Sequence, residues 1–284
     1  MPELPEVETL RCDLSRRIIG EVIESVSVGN RKMVSPAKSF SRLLKGQRIT
    51  AVNRRGKLLI LDVASGLRLH VHLKMTGQLV YRRGRVLVVG GHAILGATAV
   101  PNSYTQLLFR FRNKGELYFN DQRQFGYAKI LTLAASDEVV QRFGPEPLAK
   151  NFTRARLTSQ LARRSRTSLK AALLDQSVLA GVGNIYADEI CFRAGLRPER
   201  QVQSLTQNDQ QRLWRSIRAI LQRSVRLRGT MRSTYRRDDA RDGRYWPYIA
   251  VYGRGGKPCR NCGTPLERFR VAGRGTVCCP ICQR

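Results

Sequence analysis

Four cysteines near the end of the chain restrict its architecture more than any other feature. "CRNC" occupies positions 259–262 and "CPIC" positions 279–282, with sixteen residues between the pairs. Two CxxC pairs at this spacing bring four thiolates tetrahedrally around zinc, and a site closed by four protein ligands is structural. The segment that holds them, 251–284, cannot bury a core of its own, so the metal supplies its folding energy. Cys259, Cys262, Cys279 and Cys282 are the predicted ligands of one zinc ion, and Cys278 is spare. Cys12 and Cys191 stand apart. Disulfides spread through small secreted domains, whereas this clustering reads as a metal site in a reducing cytoplasm.

The finger is also basic, with seven Lys and Arg against a single acid, Glu267. The whole chain shares that bias: 51 Lys and Arg face 21 Asp and Glu, a formal net charge of +30. Such an excess points to a polyanionic partner, with nucleic acid the leading candidate. Most of the 51 are Arg, whose guanidinium forks onto phosphate or stacks on bases. The acidic start has no apolar run of a signal peptide, and no stretch approaches the ~20 apolar residues of a membrane span.

Upstream of the finger the texture changes twice. Val7, Leu10, Leu14 and Ile18 recur at helical spacing and Gly20 ends the run. From there to about residue 133, segments such as "LRLHVHLKM", "TQLLFRFR" and "YAKILTL" alternate or run short and apolar between Gly, Asn and Asp. Several short strands at regular spacing predict a sandwich or barrel-like pair of sheets. "FGPEPL" is a Pro/Gly break, and from Thr153 to about Arg228 the pattern is helical, with Gly195 and Gly229 as expected caps. The fold class is therefore α+β: an N-terminal helix and two-layer β-sandwich over 1–135, a helical domain over 136–229, a polar loop region over 230–250, and a finger over 251–284.

Several short motifs carry chemistry. "AGVGNIYADE" places Gly181 and Gly183 before a helix opened by Asn184, and exposed amides at a helix start suit a phosphate. "RRGKLLI" sets Lys57 at the start of an apolar strand, and "DQRQFG" joins two strands with Arg123 and Phe125 at its tip. An Arg and an aromatic at an exposed turn can enter a base stack. His70 and His72 alternate along one strand, which reads as structural. In the opening "MPELPEVETL", Pro5 suits a first helical turn, and Glu6 and Glu8 favour the positive end of its dipole. Pro2 and Glu3 have no such local explanation.

Taken in order, "MPELPEVET", "RRGK", "HLKMTG", "DQRQFG", "FGPEPL", "LLDQSVLAGVGNIYADE", "VYGRGGKPCRNCG" and "GRGTVCCPICQ" resemble the formamidopyrimidine-DNA glycosylase/endonuclease VIII family of base-excision repair enzymes. The match is collinear over essentially the whole chain, and "PELPEVE" looks like the formamidopyrimidine/8-oxoguanine branch. The resemblance implies a helix–two-turn–helix in the helical domain and a β-hairpin zinc finger. It implies a bifunctional glycosylase and abasic-site lyase for oxidised purines, acting as a monomer on double-stranded DNA in the cytoplasm. Removal of Met1 would make Pro2 a terminal secondary amine that attacks the damaged nucleotide's anomeric carbon. Glu3 would protonate the sugar ring oxygen, Lys57 would serve in catalysis and on a phosphate, and Glu6 would position the lesion. Met75, Arg123 and Phe125 would fill the hole left by the extruded nucleotide. His72, Lys170, Asn184 and Arg274 would contact DNA, and the 232–248 stretch would cover the flipped base. Two other readings follow from parts of the pattern: an endonuclease VIII-like enzyme for oxidised pyrimidines, or a catalytically silent zinc-finger DNA-binding protein. "DQRQFG" departs from the family's turn by lacking Pro after Asp and a basic residue before Phe, and "YTQ" at 104–106 replaces a His-containing stretch.

Overall fold

The computed structural model describes residues 1–92, 99–230 and 243–284. They form two compact units, Met1–Gln141 with Leu227–Arg244, and Arg142–Arg226 with Tyr245–Arg284. The four consecutive segments expected from the sequence are thus regrouped, and the finger belongs to the same unit as the helical segment.

The first unit runs α1 (Leu4–Ile18), β1 (Ile23–Val28), β2 (Val34–Ser35), α2 (Phe40–Leu44), β3 (Ile49–Arg55), β4 (Leu58–Val63), β5 (Arg68–His72), β6 (Gly77–Arg83), β7 (Val86–Gly91), β8 (Thr105–Phe111), β9 (Glu116–Asp121), β10 (Tyr127–Leu131) and α3 (Leu133–Gln141). One sheet has the order β1-β8-β9-β6-β7 and the other β2-β10-β5-β4-β3. All pairings are antiparallel except that of β10 with the two-residue β2. Val26, Leu79, Phe109 and Leu117 of the first sheet share a buried core with Val52, Leu61, Val71 and Ile130 of the second. Burial of such side chains is worth roughly 1.5–3 kcal/mol each.

Helix α1 packs against β7 and β3, the last strand of each sheet, and so lies along the open side of the sandwich. Val7, Leu10, Leu14 and Ile18 are its buried face, as their spacing predicts. Gly90 in β7 lets the helix approach, because a Cβ there would fall 2.6 Å from Leu10 Cδ1. The short α2 and α3 had no clear periodic signal. α3 is tied to β5 by polar contacts: buried Ser136 hydrogen-bonds His70 at 2.7 Å, and Asp137 pairs with Arg68 at 2.5 Å. His70 is structural, as read from its strand.

The second unit contains α4 (Arg154–Ala162), α5 (Leu169–Leu174), α6 (Asn184–Ala194), α7 (Gln207–Arg226), and a hairpin of β11 (Glu267–Val271) and β12 (Arg274–Cys278). Between α5 and α6 the chain makes two turns, organised by Gln176. Its Oε1 accepts from the Gly181 N–H at 2.8 Å, and its Nε2 donates to Leu174 O and Val182 O. Gly195 adopts the left-handed cap expected at the end of α6. Gly229 does not cap α7, which ends at Arg226; its φ of +76° serves the first unit instead. Among the described residues no helix is long and apolar enough to cross a membrane.

Candidate functional site

In the first unit the beginning of α1 gathers buried polar groups. Glu3 is its N-cap and Pro5 lies in the first turn. Glu6 Oε2 accepts the backbone N–H of Glu3 at 3.0 Å, while Oε1 accepts the N–H and hydroxyl of Thr230 at 2.8 and 3.0 Å. This needs glycine at 229, since a Cβ there would come within 2.4 Å of Glu6 Oε1. Pro2 is buried, and Glu3, Glu6 and Lys57 are only 2, 2 and 5% exposed. All three charged groups act on the terminal amine of Met1. Burial, the largest influence, lowers its pKa below the ordinary value; Glu3 and Glu6 oppose this, and Lys57 adds to it. The Met1 amine is therefore held toward its neutral form.

Lys57 is fixed by its turn. Arg55 pairs with Leu58, so Gly56 and Lys57 form a two-residue hairpin turn with Gly56 at φ +55° in the first central position. Arg54 braces this turn against α1, donating from Nε to Glu8 Oε2 at 2.8 Å and from Nη1 to Gly56 O at 2.8 Å. Burial works against the Glu8 charge, yet hydrogen bonds from Arg11 and Arg54 hold its carboxyl below the usual range. Sequence reasoning gave Glu8 a helix-dipole role and missed this bridge, because its partner lies 46 residues away.

A second group on this unit brings Met75 and the 121–126 turn together through one carboxylate. Fully buried Asp121 accepts the Thr76 hydroxyl at 2.5 Å, the Arg123 N–H at 3.2 Å and the Gly126 N–H at 2.7 Å. Gly126 leaves no space for a Cβ, which would meet Phe119 Cζ at 2.6 Å. The turn lacks the family's proline, and its backbone is held instead by Asp121 and by Gln124. Gln124 has φ +56°, and its Oε1 accepts from Asn30 Nδ2 at 2.7 Å. At the tip the Arg123 guanidinium lies 4.7 Å from the Phe125 ring centre. Met75 and Phe125 are exposed, at 38 and 54%, which suits insertion into a partner. In the neighbouring "YTQ" stretch, Tyr104 O accepts the Asp121 N–H at 2.9 Å, so this departure supports the turn through its backbone.

His72 ends β5. Its Nδ1 accepts the Lys74 N–H at 2.9 Å, which leaves any proton of the neutral ring on Nε2 as a donor. Burial, then the cations Lys74 and Lys57, bring its pKa down to about 3. The unfolded chain binds a proton near pH 6.5 that the folded chain refuses, so His72 lowers stability progressively as pH falls from about 6.5 toward 3. Urea unfolding at pH 4.5 and pH 7.5 is expected to show a smaller loss in a His72→Gln variant than in the parent. NMR titration should find the ring neutral at pH 5; protonation near pH 6.5 would contradict this environment.

In the second unit the sulfurs of Cys259, Cys262, Cys279 and Cys282 all lie within 4.8 Å of one another. Four thiolates around zinc at about 2.3 Å require separations of this order, so the donor set fits one zinc ion. The Asn261 N–H points to Cys259 Sγ and the Cys282 N–H to Cys279 Sγ, each at 3.4 Å, which orients the ligands. Cys278 is buried outside the cluster. Beyond these knuckles, Ala272 and Gly273, at φ +48° and +72°, make the tight turn that puts exposed Arg274 at the hairpin tip.

Two further predicted contact residues meet just behind that tip. Asn184, at the start of α6, donates from Nδ2 to Gly275 O at 3.1 Å. Lys170 was expected to touch DNA, and the structure corrects this. It has no exposed surface, and its ammonium is consumed by Asp188 at 2.6 Å and by Gly275 O and Thr276 Oγ1 at 2.8 Å each. Asp188 in turn accepts the Val277 N–H. Lys170 is a strut beneath Arg274, and removing it would strand a buried carboxylate. Of the stretch expected to cover a flipped base, residues 232–242 lie outside the described residues.

The formamidopyrimidine-DNA glycosylase N-terminal domain matches residues 1–128 and the formamidopyrimidine-DNA glycosylase H2TH domain residues 143–236. A zinc finger found in FPG and IleRS matches residues 256–284. Formamidopyrimidine-DNA glycosylases of Desulfitobacterium hafniense and Listeria innocua are 39% and 38% identical over 290 and 288 residues, each comparison covering 100% of both chains. A crystallised point variant of the Lactococcus lactis protein, in complex with Fapy-dG-containing DNA, superposes with a TM-score of 0.87 at 32% identity, covering 100% of both chains. The MutM (Fpg) protein of Thermus thermophilus gives a TM-score of 0.84 at 38% identity, covering 99% of this chain and 98% of that one.

Proposed function

Because the chain belongs to the formamidopyrimidine-DNA glycosylase family, it is a DNA glycosylase, and we propose that it removes oxidised purines, 8-oxoguanine and formamidopyrimidines, from duplex DNA and then cleaves the strand. The observation that carries this reading is the burial of Pro2, Glu3, Glu6 and Lys57 around the start of α1, with a terminal amine depressed in basicity. Once Met1 is removed, the Pro2 nitrogen becomes the terminal amine. It attacks the anomeric carbon of an everted nucleotide; the glycosidic bond breaks, and the base leaves with its electron pair and takes up the proton that the amine nitrogen gives up. Glu3 gives a proton to the ring oxygen as the ring opens to an iminium. The iminium acidifies the adjacent sugar C–H, so loss of that proton expels the 3′ phosphate, and a second elimination expels the 5′ phosphate.

The remaining residues prepare the substrate. Extrusion costs a few kcal/mol of stacking and pairing, and Met75, Arg123 and Phe125, fixed on Asp121, take the vacated space. Lys57, His72, Asn184 and Arg274 hold backbone phosphates, with Lys170 supporting Arg274 from beneath. Zinc, held by its four cysteines, supplies the folding energy of the finger. The Lactococcus lactis relative has been crystallised with Fapy-dG and abasic-site DNA, which supports both the substrate class and the partner. The protein acts in the cytoplasm on nucleoid DNA, as a monomer.

Borohydride reduction tests the chemistry directly. Incubation with duplex carrying 8-oxoguanine is expected to give a covalent adduct that peptide mass mapping assigns to Pro2, and Pro2→Gly should cut its yield about tenfold or more. An undiminished adduct on an internal lysine would overturn the assignment. A parent protein that prefers oxidised pyrimidines would overturn the substrate class.

A further inference from the structure

A cavity of about 470 Å³ opens in the second unit among α6, α7 and the chain from Tyr245 to Asn261. It contains none of Lys170, Asn184 and Arg274. Arg212, Arg215, Ala219 and Arg223 recur every three or four residues along α7 and line one wall, and Arg193 of α6 adds a fourth guanidinium. Among the described residues only Arg212 is paired locally, with Asp209 at 2.7 Å. Among the described residues Arg193, Arg215 and Arg223 have no carboxylate within ion-pair distance. Arg223 is held over the face of Tyr248, 3.8 Å from its ring centre, and Tyr245 stands beside Tyr248 at 6.2 Å.

Among the described residues the one carboxylate in the lining is Glu189, and it is already satisfied. Only 3% exposed, it accepts the backbone N–H groups of Ala250, Val251 and Tyr252 at 2.8–2.9 Å. Among the described residues, three guanidinium groups without a carboxylate partner therefore face a concave space whose one acid is sunk in the wall. Guanidinium forks match phosphate oxygens, and tyrosine rings give a stacking surface. The volume falls in the range of small-molecule sites. A duplex presents its phosphates on a convex ridge, whereas this concavity suits a single nucleotide.

We propose that this cavity is a second binding site, distinct from the glycosylase centre, that takes a nucleoside phosphate with its phosphates on Arg193, Arg215 and Arg223 and its ring against the tyrosine wall. The test is fluorescence anisotropy of ribose-labelled ADP with the full zinc-loaded chain at near-physiological salt. Saturable binding is expected, with Kd raised about tenfold in Arg215→Ser/Arg223→Ser and several-fold in Tyr248→Ala, an exposed position that leaves the fold intact. Arg154→Ser/Arg156→Ser, which removes equal charge from α4, should bind like the parent. Borohydride trapping on 8-oxoguanine duplex should be unchanged in the two arginine double variants, which separates this site from the repair reaction. Equal weakening by the α4 control would reduce the effect to net charge and overturn the proposal. Displacement by inorganic pyrophosphate as effective as by unlabelled ADP would refute the aromatic half. Displacement by a single-stranded oligonucleotide at far lower concentration would make the cavity part of a nucleic-acid track instead.

Discussion

Glu3→Gln is expected to slow base excision about a thousandfold, within the range of a lost general acid, while leaving binding to abasic-analogue DNA within about threefold. The substitution separates chemistry from architecture. Glu3 is the N-cap of α1 and its backbone N–H is held by Glu6, so a side chain of the same shape that keeps a carbonyl oxygen preserves the start of the helix. What glutamine cannot do is deliver a proton to the sugar. Single-turnover excision from 8-oxoguanine duplex measures the loss, and gel-shift affinity checks the binding. A rate near that of the parent would remove Glu3 from the proton path. Glu3→Ala is the poorer experiment, because it also strips the cap and confounds the two roles.

Cys262→Ser is expected to take zinc content from one ion per chain to near zero and to weaken affinity for damaged DNA about a hundredfold or more. The magnitude follows from how little else holds the finger. Its apolar cluster is small, with Val251, Leu266 and Val277 packed on Phe192 of α6 and on two of the ligand cysteines. Structural zinc in such peptides is worth roughly 10–16 kcal/mol near pH 7, far more than these contacts provide. Without the metal the β11–β12 hairpin loses its register, and Arg274 loses the turn that presents it. The strut from Lys170 then has nothing ordered to support. Metal analysis and salt-dependent binding curves check both halves. A zinc-free variant that gripped DNA as tightly as the parent would break the link between metal and affinity.

Much of this was legible in the sequence, for reasons that differ by residue. The zinc ligands were readable because a CxxC knuckle is a local structure whose chemistry and spacing are inseparable. The buried face of α1 was readable from its period alone. Pro2 and Glu3 were different: nothing in propensity or spacing marks them, and only resemblance over the whole chain gave them a role. The misreadings involve long-range polar contacts. Lys170 was given a DNA contact by resemblance alone, and Asp188 and Gly275, which hold its ammonium, lie 18 and 105 residues further along. Glu8 looked like a dipole residue because its partner too is remote in sequence, and Asp121 gave no hint that one carboxylate would fix both Met75's loop and the 123–125 tip. Gly229 was taken for a helix cap, when its requirement comes from the Glu6 oxygen facing it.

That last contact has a consequence for how the protein is made. The carboxylate of Glu6 emerges among the first residues from the ribosome, but the hydroxyl and amide of Thr230 that occupy it follow 224 positions later. Asp13 likewise waits for Arg228, 215 positions downstream. A nascent chain with its sandwich fully translated still lacks the clasp on its first helix, so competence arrives near the end of synthesis. Truncated products released before that point carry the amino-terminal residues of the reaction without the contacts that set them.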